Sequence, residues 1–256
     1  MPAKPTGNSE PWGRAIDDYA EQSRRPLAAL AFVLPLLALY EAGVLVLGPQ
    51  AVRNGADVWL RQSLDLLGFG QYFLLPVMTI GMLLAWHHVA QDRWQVSAVV
   101  LYVMFAECAL LGLGLVGVGR LQAVAMHGWL SGEGAFVAAM PWTFAGRSAF
   151  VGRLLGFVGA GVYEETLFRL MLLPPVSVCA ERLGARRWLG TACAVVLTSL
   201  LFAGAHYVGP HGEAFDAFSF SFRCIAGAFF ALLFVCRGFG VAAGTHAMYD
   251  IFVGIG

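Results

Sequence analysis

The sequence predicts an all-α membrane protein, a polytopic bundle of about seven transmembrane helices with interfacial helices beside them. Of its 256 residues, 59% are hydrophobic and 12% are charged, whereas an ordinary soluble domain is roughly 45–50% apolar and 25% charged. The apolar residues form long runs, and a helix needs only about 20 such residues to cross a hydrocarbon core of about 30 Å.

Seven apolar runs are long enough to be considered as spans. In chain order they are 27–47, 72–89, 96–118, 149–173, 189–206, 220–235 and 239–255. The fourth is expected to stop at Pro174 and Pro175, because proline interrupts the hydrogen bonding of a helix. GxxxG pairs at Gly152 and Gly156 and at Gly240 and Gly244, with Gly159 and Gly161, predict closely packed helices.

Three polar stretches complete the organisation. Residues 1–26 are polar and are expected to be a loose cytoplasmic tail, which leaves 27–256 as a single membrane domain. Residues 51–67 alternate charged and apolar side chains at helical spacing but are too polar to span, which predicts an interfacial helix. Residues 120–148 indicate a second interfacial or re-entrant segment.

Basic residues outside the spans are concentrated on one side of the membrane. That side holds Lys4, Arg14, Arg24, Arg25, Arg93, Arg182, Arg186, Arg187 and Arg237, while the other holds Arg53, Arg61, Arg120 and Arg147. The positive-inside rule therefore predicts a cytoplasmic N-terminus. The formal net charge is zero, so no overall field attracts nucleic acid, and none is expected as a partner.

The most informative charges lie inside the fourth apolar run. Glu164, Glu165 and Arg169 would each cost roughly 2.5–3.5 kcal/mol at the centre of a spanning helix. Glu165 and Arg169 are four residues apart, so they can form an ion pair on one helix face. Glu164 is rotated by about 100° from Glu165 and is therefore predicted to be available for chemistry.

Two later spans carry further polar side chains at helical spacing. Phe202 and His206 are four residues apart, as are His246 and Asp250, so each pair shares one helix face. Ionisable residues inside membrane spans are functional-site candidates by default. We expect these side chains to meet Glu164 in one polar cavity.

Other polar residues in the spans have simpler explanations. Glu41 is expected to extend to the interface, as charged side chains near helix ends do. Glu107 is expected to be protonated, to pair with an arginine such as Arg153, or to belong to the site. His87 and His88 point about 100° apart on a helix and lie beside tryptophan, which indicates a membrane interface rather than a metal site.

The ordered set EExxxR, FxxxH and HxxxD, on three successive late segments, resembles the CPBP family of CAAX proteases and bacteriocin-processing intramembrane endopeptidases. The resemblance covers roughly residues 149–256, the expected catalytic core. It implies an intramembrane endopeptidase of glutamic type that cleaves a membrane-anchored peptide or protein, here in the cytoplasmic membrane of a bacterium.

The resemblance also implies roles for individual residues. Glu164 looks like the catalytic carboxylate, acting with His206 on a water molecule, and Glu165, Arg169 and Phe202 look like supporting residues. His246, together with the residue four positions later, would stabilise the oxyanion. The family often has Asn at that later position, whereas this chain has Asp250. An ionised Asp cannot donate a hydrogen bond, so either Asp250 is protonated or it orients His246; we favour orientation.

Three alternatives remain open at this point. Glu164, His206 and His246 are adequate zinc ligands, although no HExxH motif is present, and the resemblance implies no cofactor and no obligatory metal. A transporter also uses buried Glu, His and Arg, but it usually has repeated halves, which this chain lacks. A non-catalytic scaffold or immunity protein is disfavoured because every motif position keeps a reactive side chain.

Overall fold

The computed structural model describes residues 11–48, 55–66, 68, 73–130, 147–209 and 212–255, and these residues form helices without any strand. The helices are α1 Pro11–Arg24, α2 Pro26–Leu47, α3 Gly55–Leu66, α4 Leu74–Ala90, α5 Ala98–Leu130, α6 Arg147–Glu165, α7 Leu173–Arg182, α8 Arg187–Ala205, α9 Ala217–Arg237 and α10 Phe239–Ile255, with a π-helical segment, Thr166–Leu172, between α6 and α7. The predicted all-α class is confirmed.

Four of the described helices are long and apolar enough to cross a membrane. They are Pro26–Leu47, Ala98–Met126, Arg187–Ala205 and Ala217–Arg237. The predicted second and seventh spans correspond to α4 and α10, which have 17 residues each. In the predicted fourth span, α6 ends at Glu165 of the charged motif. Seven spans therefore remains a prediction.

Helix α10 lies at the centre of the bundle and packs against α2, α5, α6 and α9. Its consecutive residues Val241, Ala242 and Ala243 are completely buried. Gly240 approaches Ala29 of α2 so closely that an added Cβ would lie 2.9 Å from the Ala29 Cα. This close packing, predicted from the glycine spacing, surrounds α10 and its polar residues with other helices.

The N-terminal segment is a correction to the expected loose tail, because residues 11–24 form α1. The Tyr19 hydroxyl donates a hydrogen bond to Glu107 of α5, and Arg237 of α9 donates two bonds to the same carboxylate, each 2.8 Å long. Burial and then the hydrogen bond to Glu107 raise the pKa of Tyr19, which keeps the hydroxyl protonated. Glu107 thus pairs with an arginine, but the arginine is Arg237 rather than Arg153.

Two predicted boundaries were wrong. The helical run of α6 does not end at Pro174 and Pro175, because the π-helical segment leads directly into α7. Both prolines fall in the first turn of α7, where the fixed φ of proline suits a helical backbone. Similarly, α5 continues to Leu130 instead of ending near residue 118, so residues 120–130 are not a separate segment. Residues 131–146 lie outside the described part of the chain.

The extension of α5 is held by polar contacts with the first turn of α9. Gln122 donates to the Ser221 hydroxyl at 2.8 Å and to the Phe218 carbonyl at 3.2 Å. No proline interrupts the sequence between Gly119 and Leu130, so the helix can continue once these contacts form. The predicted interfacial segment 51–67 contains α3, which is described over Gly55–Leu66.

The carboxylate motif is brought against α10 by close approach of two backbones. A Cβ placed on Gly161 would lie 2.7 Å from both the Ala243 carbonyl oxygen and the Ala247 backbone nitrogen. By contrast, the nearest atom to a Cβ on Gly152 is a Leu47 methyl carbon at 3.7 Å, an ordinary contact. The glycine that the site requires is therefore Gly161.

We expect Gly161→Ala to destabilise the protein by about 1–3 kcal/mol, because backbone atoms of α10 cannot move aside as a flexible side chain would. The matched control is Gly152→Ala on the same helix, which has room for a methyl group and should be neutral or slightly stabilising. Thermal unfolding of both variants in detergent measures the difference. Equal unfolding midpoints for the two variants would show that α6 and α10 can move apart without loss of stability.

Candidate active site

The paired glutamates lie at the end of α6, and the arginine lies on the π-helical segment that follows. Glu165 and Arg169 are completely buried, and Glu164 is 8% exposed. Arg169 Nε lies 3.1 Å from Glu165 Oε2, so the predicted ion pair is present by distance. The two atoms do not form a hydrogen bond, and neither has a hydrogen-bond partner among the described residues. π-Helical turns frequently occur at functional sites.

The guanidinium of Arg169 is held by aromatic rings and one backbone carbonyl. It lies 4.7 Å from the centroid of Phe202 and 5.7 Å from that of Phe230, and its Nη2 donates to the Gly227 carbonyl at 2.9 Å. Contacts between a cation and ring faces are favourable, most of all where water is excluded. Arg169 thereby links the carboxylate motif to α8 and α9.

Three carboxylates lie close to the His246 imidazole. Its Nδ1 lies 2.8 Å from Glu165 Oε1, and its Nε2 lies 3.7 Å from Glu164 Oε2 and 3.6 Å from Asp250 Oδ2. Its ring stacks on Phe230 with centroids 4.5 Å apart and planes 10° apart. Since an ionised carboxylate only accepts hydrogen bonds, the short contact places a proton on Nδ1.

This geometry corrects the expected role of Asp250. We expected Asp250 to orient His246 through a hydrogen bond, but Glu165 makes the short contact with Nδ1. The 3.6 Å separation between His246 Nε2 and Asp250 Oδ2 is too long for a well-formed hydrogen bond. Glu165 therefore has two partners, Arg169 and His246, where the sequence predicted one.

His206 joins the cluster through Phe202. Its Nδ1 lies 2.9 Å from the Phe202 carbonyl oxygen, and the two rings meet edge-on with centroids 5.2 Å apart. The same phenylalanine ring also contacts His246, at 5.8 Å between centroids. Phe202 thus contacts both imidazoles.

His206 immediately follows α8, which ends at Ala205. Its carbonyl accepts a 2.9 Å hydrogen bond from the Glu213 amide, which holds the turn after α8. The Phe202 and His206 rings share one face, as their four-residue spacing predicted.

The three residues of the zinc alternative, Glu164, His206 and His246, do not form a metal-binding group among the described residues. In the part of the chain that the structure describes, no group of three or more His, Cys, Asp or Glu side chains is arranged to hold a metal ion. Of the three candidate ligands, Glu164 and His246 lie 3.7 Å apart, whereas the contacts of His206 are with Phe202. We therefore derive no step through a metal.

Some contributors to the site carried no sequence signal. Phe230, which stacks on His246, is one of several phenylalanines in the apolar run of α9 and belongs to no motif.

Glu41 was expected at the interface but is 6% exposed and bonded to Tyr163 and Arg61. His87 is buried edge-on against Trp94, whereas the adjacent His88 is exposed, so they do not share a site.

A family model described as type II CAAX prenyl endopeptidase Rce1-like matches residues 146–252, which contain all three motifs. The match covers less than half of the chain, and this segment is similar to CAAX proteases. No curated protein and no solved structure gave a significant match. The similarity supports a protease, and the four long apolar helices support an integral membrane protein. Such a protease acts on membrane-embedded substrates and contacts lipid.

Proposed function

We propose that this protein is an intramembrane endopeptidase that hydrolyses a peptide bond in or near a membrane-anchored segment, using water activated by Glu164 and His206. The observation that carries the proposal is the convergence of Glu164, Glu165 and Asp250 on the His246 imidazole, with His206 in contact with the same Phe202 ring as His246. A buried cluster of this kind supplies a base and hydrogen-bond donors within a small volume.

In the proposed first step, Glu164 accepts one proton from a water molecule that His206 helps to hold. The water oxygen forms a bond to the scissile carbonyl carbon, and the π electrons of that carbonyl move to its oxygen. His246, held through Nδ1 by Glu165, then has Nε2 directed to the side of Glu164 and Asp250. In its protonated form, Nε2–H donates to the developing oxyanion. Asp250 lies beside the same nitrogen, and as the acid it would supply a second donor.

In the second step the carbon–nitrogen bond breaks, and the proton taken from water passes to the leaving amine. The products are a new carboxylate and a new amino terminus, so the reaction consumes one water molecule and needs no oxidant or reductant. The phenylalanine rings of Phe202 and Phe230 exclude bulk water from the imidazoles, which strengthens the electrostatic interactions in the site.

We also propose that the protein lies in the cytoplasmic membrane of a bacterium with its N-terminus inside. The support is the group of arginines at one end of the helices: Arg24, Arg25, Arg93, Arg182, Arg186, Arg187 and Arg237.

The function is tested first by comparing membrane proteomes with and without the gene, to find an anchored protein that remains uncut. A peptide covering that cut site is then digested by the purified protein in liposomes, in water enriched in ¹⁸O. We expect one ¹⁸O atom in the new carboxylate and no loss of rate with 1,10-phenanthroline. Loss of activity with the chelator and recovery with zinc would favour the metal-dependent version. No cleavage of any accumulating protein would contradict the proposal.

A further inference from the structure

A second group of buried polar side chains lies beside the site and has no part in the proposed chemistry. This α2–α3 cluster consists of Tyr40, Glu41, Asp57, Arg61 and Tyr163. Arg61 Nε donates to Asp57 Oδ1 at 2.5 Å, and Arg61 Nη2 donates to Glu41 Oε1 at 3.0 Å. The Tyr40 hydroxyl donates to Asp57 Oδ2 at 2.9 Å, and the Tyr163 hydroxyl donates to Glu41.

The cluster attaches α3 to the bundle by charge. Burial acts to lower the pKa of Arg61, but the charge and hydrogen bond of Asp57, together with the charge of Glu41, raise it above its ordinary value. Arg61 therefore stays a cation between two carboxylates. Buried charges tolerate only arrangements that satisfy their partners, so the cluster defines one position of α3 relative to α2 and α6.

On the α6 side, the cluster reaches the residue next to the proposed catalytic carboxylate. Tyr163 immediately precedes Glu164, and its ring meets the Tyr40 ring edge-on at 5.5 Å. One turn earlier, a Cβ on Gly159 would lie only 2.2 Å from Tyr40 Cε2. Because Gly161 packs against α10, α6 is held from two sides just before Glu164.

On the α8 side, α3 reaches the turn that follows His206. Trp59 lies on α3 between the two cluster residues of that helix, and its Nε1 would be 3.8 Å from a Cβ on Gly209. Gly209 has φ +98°, a left-handed conformation that glycine adopts readily. Helix α3 therefore contacts both the helix that carries Glu164 and the turn next to His206.

We propose that α3 is a positioning element for the water-activating pair, acting on Glu164 through Arg61, Glu41 and Tyr163, and on His206 through Trp59. The proposal rests on the proposed function, and it adds residues from outside the family-matched segment 146–252. A displacement of about 1 Å in a catalytic group can lower the rate about 10²-fold. Loss of α3 anchoring should therefore reduce kcat more than it changes KM.

The structure provides a matched control for removing the Tyr163 hydroxyl. Tyr19 donates to Glu107, which is paired with Arg237, so it belongs to a second Tyr–Glu–Arg group on α1, α5 and α9. Both Tyr163→Phe and Tyr19→Phe remove one hydroxyl from a glutamate that keeps its arginine. The two variants are compared by thermal unfolding, steady-state cleavage in liposomes and hydrogen exchange of backbone amides measured by mass spectrometry.

We expect Tyr163→Phe to lower kcat by about 10- to 100-fold with KM changed less than about threefold, and to speed amide exchange in residues 55–66 and 159–165. Tyr19→Phe should keep kcat within about twofold and speed exchange only around α1. The milder variant Arg61→Lys, which keeps the charge but loses the planar fork, should give an intermediate kcat.

Equal effects of the two Tyr→Phe changes on kcat would overturn the proposal and leave α3 a purely structural helix. Unchanged exchange in residues 55–66 would also overturn it, because the cluster would then not hold α3. If the proposed function itself were wrong, the result would be different, because the Glu164→Gln variant would still cleave the substrate. The exchange measurement needs no substrate, so it decides whether Tyr163 anchors α3 in either case.

Discussion

Glu164→Gln is expected to abolish peptide cleavage while leaving the protein folded. Removal of a general base typically costs 10²–10⁴ in rate, and the amide keeps the size of the carboxylate it replaces. Glu164 Oε2 lies 3.7 Å from His246 Nε2, whereas the short contacts of His246 and Arg169 are made with Glu165. In the Glu164→Gln variant the buried Arg169 therefore keeps its partner carboxylate, Glu165.

The measurement is cleavage of the accepted substrate in liposomes together with thermal unfolding in detergent. Glu21→Gln is a suitable control, because Glu21 on α1 is 73% exposed, pairs with Arg25 and should keep the wild-type rate. A Glu164→Gln protein that cleaves at the wild-type rate would mean that another group is the base.

Glu165→Gln is expected to behave differently, losing stability as well as activity. Both partners of the Glu165–Arg169 pair are completely buried, and removing one member of a buried pair costs about 3–5 kcal/mol. In a chain of this size that corresponds to a fall in the unfolding midpoint on the order of 10 °C. Activity should fall too, because His246 Nδ1 would no longer face a carboxylate.

The double variant Glu165→Gln with Arg169→Met separates the two effects. Replacing a buried ion pair by neutral side chains of similar volume is often neutral or stabilising, so the unfolding midpoint should recover. Cleavage should remain low, since the double variant does not restore the carboxylate at His246. An unchanged unfolding midpoint in the single variant would show that the pair contributes nothing to stability. Recovery of cleavage in the double variant would show that Glu165 serves only to neutralise Arg169 and is not needed at His246.

Contacts within one helical run could be predicted from spacing. Side chains four residues apart lie on one face of a helix, and on that basis the Glu165–Arg169 pair and the Phe202–His206 contact were both expected and are both present. Glycine spacing predicted close helix packing, which occurs at Gly161.

Contacts between helices were predicted poorly. An arginine partner was one of three expectations for Glu107, but spacing gave no reason to choose Arg237, which is far along the chain. Glu41 was expected to extend to the interface because it lies near the end of its span, but its partners come from α3 and α6. The assignment of Asp250 as the group that orients His246 failed for the same reason, since Glu165 arrives from another helix.

The sequence by itself determined the all-α membrane class, the residue types of the candidate site and the pairs along each helix, because composition and helical periodicity are local properties of the chain. The tertiary structure alone decided that Glu165 rather than Asp250 faces His246 Nδ1, that Phe230 stacks on that ring, and that α3 reaches both Tyr163 and the turn after His206. The physical reason is that these contacts depend on how the helices are rotated and packed against one another. Rotation and packing result from the fit of all the buried side chains together, and no single segment encodes them.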